Sequence, residues 1–189
     1  MSTKIQPVIS SRSGGGSSEI YVLPTDEEFL REILTYIFET YWQEIVFGPI
    51  IEGGAFEFRC PCSPLKITLF DGYLTVHFGG THFHICIGEN RGAPNNPTPI
   101  ALRKHRRTSR AEIVRRLDKE GGANSWCLQL FNGHDEQLLS IFFANPFLTA
   151  QDGLAEQPDW SKLAMWEDIG QRYLGRELDG TDRASKGFR

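Results

Sequence analysis

The chain has 189 residues, of which 40% are apolar and 12% are aromatic, and its formal net charge at pH 7 is −4. This composition excludes fibrous and wholly disordered proteins, and the length predicts one globular domain. The negative charge gives no general attraction to nucleic acid, and no apolar run approaches the roughly 18 residues that span a bilayer. Four cysteines are too few for a disulfide framework in a chain of this length, so we expect a reducing, cytoplasmic environment.

Both ends of the chain are polar. The first 22 residues are rich in serine and glycine, a composition that buries too little apolar surface to offset the entropy of ordering. We therefore predict a disordered tail over residues 1–22, a single domain over residues 23–175 and a frayed tail over residues 176–189. An organellar transit peptide shares the N-terminal composition, but the glycine run 14–16 interrupts the amphipathic helix that such peptides form.

An N-terminal helix is the first predicted element. The pattern Thr25-x-x-Glu28 is a capping box, and Gly48-Pro49 ends the helical pattern. Between them, apolar side chains recur at helical spacing: Phe29, Leu30, Ile33, Leu34, Ile37, Phe38, Tyr41, Trp42 and Ile45. The wide apolar face predicts a helix that covers a sheet.

A meander of three strands follows a short strand over residues 55–59. Residues 65–70 and 73–78 flank Asp71-Gly72, which favours a two-residue hairpin turn. Gly79-Gly80 is a second such turn and leads into residues 81–87. Residues 88–99 are rich in glycine, proline and asparagine and predict a long loop.

The second half of the chain predicts two more helices and a hairpin. Ser109-x-x-Glu112 predicts a basic middle helix that runs to about Lys119. Residues 125–131 and 137–143 predict strands joined around Asn132-Gly133, and residues 159–174 predict a C-terminal helix. Strands between helices without regular alternation indicate an α+β fold. We expect an antiparallel sheet of about five or six strands, the meander plus the second hairpin, covered by the N-terminal, middle and C-terminal helices.

Strand register brings three histidines together. With two-residue turns at both glycine positions, His77 pairs with His82 and Thr75 pairs with His84. Apolar residues then share one face, and the opposite face carries Lys66, Thr68, Tyr73, Thr75, His77, His82, His84 and Cys86. A slip of one residue would mix the two faces, so the hydrophobic pattern favours this register.

Three imidazoles on one face are typical of a divalent metal site, and we predict His77, His82 and His84 as ligands of zinc, iron or nickel. Three protein ligands leave a position for water or substrate. One interpretation is therefore a metal-dependent enzyme that acts on a small anionic substrate, with Glu89, Cys86 or Tyr73 as the catalytic proton-transfer group. The alternatives are a non-catalytic module that binds a ligand or partner, and histidines that are incidental to a solvated face.

Cys60-Pro61-Cys62 is an alternative metal site. A C-x-C pair chelates metals or forms a strained disulfide, and with His82 and His84 it would complete a structural Cys₂His₂ zinc site. Cys60 is alternatively a nucleophile activated by a nearby histidine, and both thiols are alternatively plain buried side chains.

A basic segment lies between Arg103 and Lys119, where eight lysines and arginines face two acids. His105, Arg106, Arg107 and Arg110 precede or open the predicted middle helix, where free amide groups favour an anion. We predict that they bind the carboxylate or phosphate of a small anionic ligand; intramolecular ion pairs and a protein partner are the alternatives. The net charge disfavours nucleic acid, and no phosphate-loop, dinucleotide or serine-hydrolase motif occurs, so no nucleotide cofactor is expected.

Two segments resemble a known family. THFHICIG at residues 81–88 and RKHRRTSRAE at residues 103–112 are similar to segments of an uncharacterised microbial protein family. The resemblance extends over about residues 60–174. It implies no activity and no catalytic residue.

Overall fold

The computed structural model describes residues 4–188, so the parts of the two predicted tails that fall on residues 1–3 and 189 lie outside the described residues. The strands are β1 (Val8–Ser11), β2 (Ser17–Leu23), β3 (Val46–Gly48), β4 (Ile50–Ile51), β5 (Gly54–Ala55), β6 (Phe58–Arg59), β7 (Lys66–Phe70), β8 (Tyr73–His77), β9 (His82–Cys86), β10 (Gly92–Ala93), β11 (Asn96–Pro97), β12 (Arg110–Leu117), β13 (Ala123–Phe131) and β14 (Gln137–Phe142). The helices are α1 (Glu27–Thr40), α2 (Ile100–Arg106) and α3 (Ala164–Ile169). A 3₁₀ turn (Trp160–Leu163) and a π turn (Gly170–Leu174) extend α3 at its two ends, and a further 3₁₀ turn spans Gly180–Arg183.

The strands form one large sheet and one separate meander, so the predicted α+β fold with an antiparallel sheet is confirmed. The large sheet has seven strands in the order β1-β2-β12-β13-β14-β3-β6. The meander β7-β8-β9 is a sheet of its own rather than part of the large one, and β4-β5 and β10-β11 are short hairpins. None of the helices between residues 4 and 188 is long and apolar enough to cross a membrane.

The chain divides into two compact units. The first unit contains the described residues up to Val22, together with Glu112–Leu128 and the residues from Phe142 onward. The second unit contains Leu23–Ala111 and Gln129–Ile141. The predicted domain over residues 23–175 therefore differs from the observed division, because both terminal segments are part of the first unit.

The N-terminal segment is folded, so the predicted tail over residues 1–22 is wrong for the described residues. β1 and β2 pair antiparallel, from Val8 opposite Ile20 to Ser11 opposite Ser17. The glycines between them have φ values of 120°, 93° and 81°, which side chains rarely adopt, so the glycine run forms the turn. Ladder hydrogen bonds and the ion pair of Glu19 with the buried Arg115 stabilise a segment of low apolar content.

The C-terminal segment is also bound to the first unit, so the predicted frayed tail is wrong for residues 176–188. Asp182 is fully buried and accepts hydrogen bonds from Arg115 (2.9 Å) and from the indole nitrogens of Trp126 (3.3 Å) and Trp166 (2.8 Å). Arg176 contacts the Asp182 carboxylate at 3.4 Å and lies 4.7 Å from the centre of the Trp166 ring. Buried charge, which composition does not reveal, anchors this end of the chain.

The middle helix predicted from Ser109 to Lys119 is wrong. Residues 110–117 form β12, which lies between β2 and β13 in the sheet. All residues from Ala111 to Arg115 are buried, so both faces of the strand are covered. Tertiary burial outweighs the helix propensity of this segment. A helix does precede it, but α2 ends at Arg106.

The second unit has an aromatic core under α1. The helix begins after Asp26, whose side chain accepts from the Phe29 amide, one residue later than the predicted Thr25 cap. It ends at Thr40, so the predicted end at Gly48-Pro49 is wrong, and residues 46–48 form β3 instead. Its buried side chains are Leu30, Ile33, Leu34, Ile37 and Phe38, as the helical spacing predicts. The Phe38 ring packs against Phe47 and Phe83, with ring centres 5.1 and 5.3 Å apart.

The predicted meander register is confirmed at every pair. Leu69 lies opposite Leu74, and His77 lies opposite His82. Asp71 and Gly72 have φ values of 46° and 79°, the positive values of a type I′ turn. A Cβ at Gly72 would come within 2.7–2.9 Å of the backbone of residues 88–90, so glycine is also needed for this close approach.

We expect Asp182→Ala to lower the free energy of unfolding by about 3–5 kcal/mol, because two buried guanidinium groups lose an acceptor. Urea denaturation measures the change. The control is Glu120→Ala, which removes an exposed ion pair with Lys186 and costs at most about 1 kcal/mol. Equal stability of the two variants would contradict a bound C-terminal segment.

We expect Gly72→Ala to destabilise the protein more than Gly53→Ala does. Both glycines have positive φ, so each substitution carries about 1–2 kcal/mol of backbone strain. Only Gly72 adds a clash, because a Cβ at Gly53 meets nothing within 4 Å. The difference between the two variants in urea denaturation gives the cost of the clash with residues 88–90. Equal stabilities of the two variants would show that this close approach is not needed for stability.

Candidate functional site

The three predicted histidines lie together on one side of the meander. The rings of His77 and His82 have centres 5.1 Å apart, and those of His82 and His84 have centres 5.0 Å apart. His82 and His84 are exposed, and His77 is half-buried. We call these three side chains, with the adjacent Thr75 and Lys66, the histidine face.

One histidine of this face is held by a neighbouring strand. The Thr75 hydroxyl, 7% exposed, lies 2.6 Å from Nδ1 of His84 in a hydrogen bond. This contact orients the ring and leaves Nε2 available, as hydrogen-bond partners do for metal-ligating histidines. Imidazoles that share a tetrahedral metal have ring centres about 5 Å apart, since each nitrogen lies about 2.0–2.1 Å from the ion.

A second group of side chains, outside the histidine face, brings its potential metal-binding atoms closer together. Among residues 4–188, His105, His134 and Glu136 offer ligand atoms that all lie within 4.8 Å of one another. The three histidines of the meander do not form such a group, so their role as metal ligands stays a prediction. No sequence signal indicates His134 and Glu136, because their approach to His105 depends on a contact between distant segments.

The two cysteines of the C-x-C pair are both free thiols. Burial raises the pKa of Cys60 to about 11, which keeps this side chain protonated and weakly nucleophilic at neutral pH. Cys62 donates a hydrogen bond to the Phe78 carbonyl at 3.3 Å. These contacts agree with packed thiols, of which Cys60 is buried and Cys62 half-buried, and the role of the pair in a metal site stays a prediction.

The three predicted proton-transfer groups are not poised as general bases at neutral pH, and their role as catalytic groups stays a prediction. Burial raises the pKa of Cys86 and that of Tyr73, so both hold their protons. Glu89 forms ion pairs with Arg103 (3.2 Å) and Arg91 (3.1 Å), and hydrogen bonds from these two side chains lower its pKa. A thiol, a phenol and a weakly basic carboxylate are poor general bases.

The side chains of the predicted anion site all bind groups of the protein itself. His105 contacts Glu136 at 2.9 Å, and Arg110 contacts Asp135 at 2.6 Å. Arg106 donates to the Asn90 side chain and Arg107 to the Thr25 carbonyl. His105 and Arg106 lie in the last turn of α2, and Arg107 and Arg110 follow it. These residues end a helix instead of opening one, and a helix C-terminus offers carbonyl groups rather than free amides. These contacts agree with the intramolecular alternative, and the binding of a small anionic ligand by this segment stays a prediction.

The first unit contains a cavity of about 970 Å³. Phe147, Trp160 and Phe188 line it, with ring centres of Phe147 and Trp160 5.6 Å apart. Charges of both signs surround these rings: Arg12, Asp118, Lys119, Glu120, Glu156 and Lys186. The sequence does not indicate this cavity, because its walls include parts of the predicted disordered N-terminal tail and of the predicted frayed C-terminal tail.

Residues 7–175 match a family model described as a family of unknown function (DUF7676). The chain belongs to this family. The expected membership of an uncharacterised family is thereby confirmed. No curated protein matches the chain.

Two solved structures are similar to this chain. One, titled "Crystal structure of ChuX", has a TM-score of 0.47 at 14% identity and covers 80% of this chain and 78% of its own. The other, titled "Structure of the Heme Binding Protein ChuX", has a TM-score of 0.45 at 16% identity and covers 78% of this chain and 74% of its own.

The loop after the meander is held by the carboxylate of its first turn. Asp71 accepts hydrogen bonds from the Arg91 amide (2.7 Å), the Gly92 amide (3.0 Å) and the Asn90 side chain (2.6 Å). The Arg91 amide is the main cause that lowers the pKa of Asp71 below its usual value of 3.8. The predicted long loop 88–99 is therefore an ordered segment that contains the β10-β11 hairpin.

We expect Asp71→Asn to be less stable than the wild type at pH 7, because the amide is a weaker acceptor for these donors. A carboxylate whose pKa is lower in the folded than in the unfolded protein stabilises the fold at any pH above the unfolded-state pKa. This stabilisation is lost as the pH falls through the folded-state pKa. The difference between variant and wild type should therefore shrink on acidification. Urea denaturation at pH 7 and below pH 3.8 tests this. Glu52→Gln, at an exposed turn, is the control and should change little at either pH.

Proposed function

We propose that the protein is a non-catalytic binding protein whose histidine face holds a metal-centred ligand, either a divalent transition metal ion or an anionic metal chelate. The spacing of the three exposed or half-buried imidazoles, with ring centres 5.1 and 5.0 Å apart, carries the proposal. Imidazole nitrogens are preferred donors for zinc, nickel and iron, and this spacing agrees with two rings that share one ion.

The meander supports this proposal because strand pairing fixes the positions of the three imidazoles before any ligand binds. His77 and His82 are directly paired across β8 and β9, and His84 is two residues further along the same strand. Donors on strands are positioned more precisely than donors on loops. The Thr75 hydroxyl further restricts His84.

The charge beside the histidines favours an anionic chelate over a bare ion. Lys66 lies opposite His77 in the β7-β8 pair and is exposed. An ammonium group at this position can pair with a carboxylate of the chelate while an imidazole binds its metal. The exposure of His82 and His84 leaves room for a ligand larger than an ion.

The protonation of nearby groups supports binding rather than chemistry. Cys86 and Tyr73 keep their protons at neutral pH, and Glu89 is engaged by two arginines. A metal at the histidine face would therefore gain no general base from these three groups. This favours the binding module over the metal-dependent enzyme.

We expect the His82→Ala, His84→Ala double variant to lose binding of hemin, whose iron accepts imidazole and which carries two carboxylates, because two of three donors disappear. With Co²⁺, followed by its visible absorption bands, we expect the variant to bind one ion per chain fewer than the wild type. The loss of hemin binding should exceed the about 10–100-fold effect of removing an orienting partner. Folding should survive, since both side chains are exposed.

The matched control is the His105→Ala, His134→Ala double variant, which removes the same number of imidazoles elsewhere and should keep hemin binding. Thr75→Val should weaken binding by about 10–100-fold if the hydroxyl orients His84. Failure of the wild type to bind either probe at micromolar concentration would overturn the proposal. Equal losses of hemin binding in the two double variants would do the same.

A further inference from the structure

The end of α2 and the turn between β13 and β14 are in direct backbone contact. The Gly133 amide donates to the His105 carbonyl at 3.0 Å. A Cβ at Gly133 would lie 2.0 Å from the Lys104 carbonyl oxygen, so only glycine permits this approach. The contact places His134, the next residue of the turn, against His105.

A buried asparagine builds the turn and orients its carboxylate. Asn132 is 6% exposed, and its side-chain oxygen accepts from the amides of His134 (2.9 Å) and Glu136 (3.0 Å). Its amide group donates to Oε2 of Glu136 at 2.7 Å. An outer partner of this kind is what orients a metal-ligating carboxylate.

His105, His134 and Glu136, which we call the turn cluster, bring three donor groups together. Nε2 of His105 lies 2.9 Å from Oε2 of Glu136. The His134 ring stacks on the His105 ring with centres 3.8 Å apart and an angle of 11° between the planes. The ligand atoms of all three side chains lie within 4.8 Å of one another.

We propose that the turn cluster is a zinc site, separate from the histidine face. Ligands of one tetrahedral Zn²⁺ lie about 2.0–2.2 Å from the ion and therefore about 3.3–3.6 Å from each other, so donor atoms that now lie within 4.8 Å have to approach by up to about 1.5 Å. An ion lies in the plane of each imidazole that binds it, so the stacked rings must also tilt apart. The exposed His134 side chain has the freedom to do so.

Two imidazoles and a carboxylate form a ligand set that zinc accepts with one position open. That position is solvent-accessible, because His134 and Glu136 are both exposed. The bound ion ties the C-terminal turn of α2 to the β13-β14 turn in place of the His105–Glu136 hydrogen bond. Zinc binding should therefore stabilise this part of the second unit.

The experiment is calorimetric titration of Zn²⁺ into the metal-free full chain at about pH 7.5, in a His77→Ala, His82→Ala, His84→Ala background. This background removes the histidine face, so the outcome is independent of the function proposed for it. We expect one zinc per chain and a rise in melting temperature on zinc addition. The His105 and His134 ring signals should shift together in NMR spectra.

Glu136→Gln and His134→Ala, each added to this background, should weaken zinc binding by at least about tenfold. The amide oxygen that Glu136→Gln introduces would still accept from the Asn132 amide, so the turn keeps its fold, and thermal unfolding checks this. Asp135→Asn, which changes the neighbouring exposed carboxylate, is the matched control and should keep the affinity. No zinc binding at micromolar concentration, or unchanged affinity in Glu136→Gln, would show an ordinary histidine–glutamate pair and overturn the proposal.

Discussion

The type I′ turn at Asp71 and Gly72 is the constraint on which the histidine face depends. Positive φ at both residues closes the hairpin with two residues and fixes the register of β7 and β8. Because side chains alternate between faces, a shift of one residue would place His77 on the apolar side. The Asp71 carboxylate also holds residues 90–92, so the same turn orders the loop that follows the meander.

Buried charge organises the first unit in the way that apolar packing organises the second. Arg115, with 4% of its side chain exposed, contacts Glu19 from the N-terminal segment and Asp182 from the C-terminal segment. Isolated, any of these charges would be costly to bury, so each is stable only with its partners in place. The network therefore couples the two ends of the chain to a central strand of the large sheet.

The two histidine clusters differ in what positions their donors. The histidine face has its imidazoles on neighbouring strands, so the distances between the rings follow from strand pairing. The Thr75 hydroxyl further fixes the orientation of the His84 ring. The turn cluster has them on a helix end and a turn, held by a backbone contact at Gly133 and by the buried Asn132. Both clusters are largely exposed, so what distinguishes them is the element that carries the donors, which is a pair of strands in one and a helix end with a turn in the other.

The sequence by itself determined what depends on near neighbours. The alternation of residues 65–87, with Asp71-Gly72 as turn, set the register and the grouping of three histidines, because hairpin pairing is local. Only the tertiary structure decided that residues 110–117 form a strand, since burial on both faces outweighs their helical pattern. Only the tertiary structure also shows that the terminal segments are folded and that His105 contacts Glu136. These outcomes depend on partners far away in the chain, such as Asp182 for Arg115, and neither local propensity nor composition contains that information.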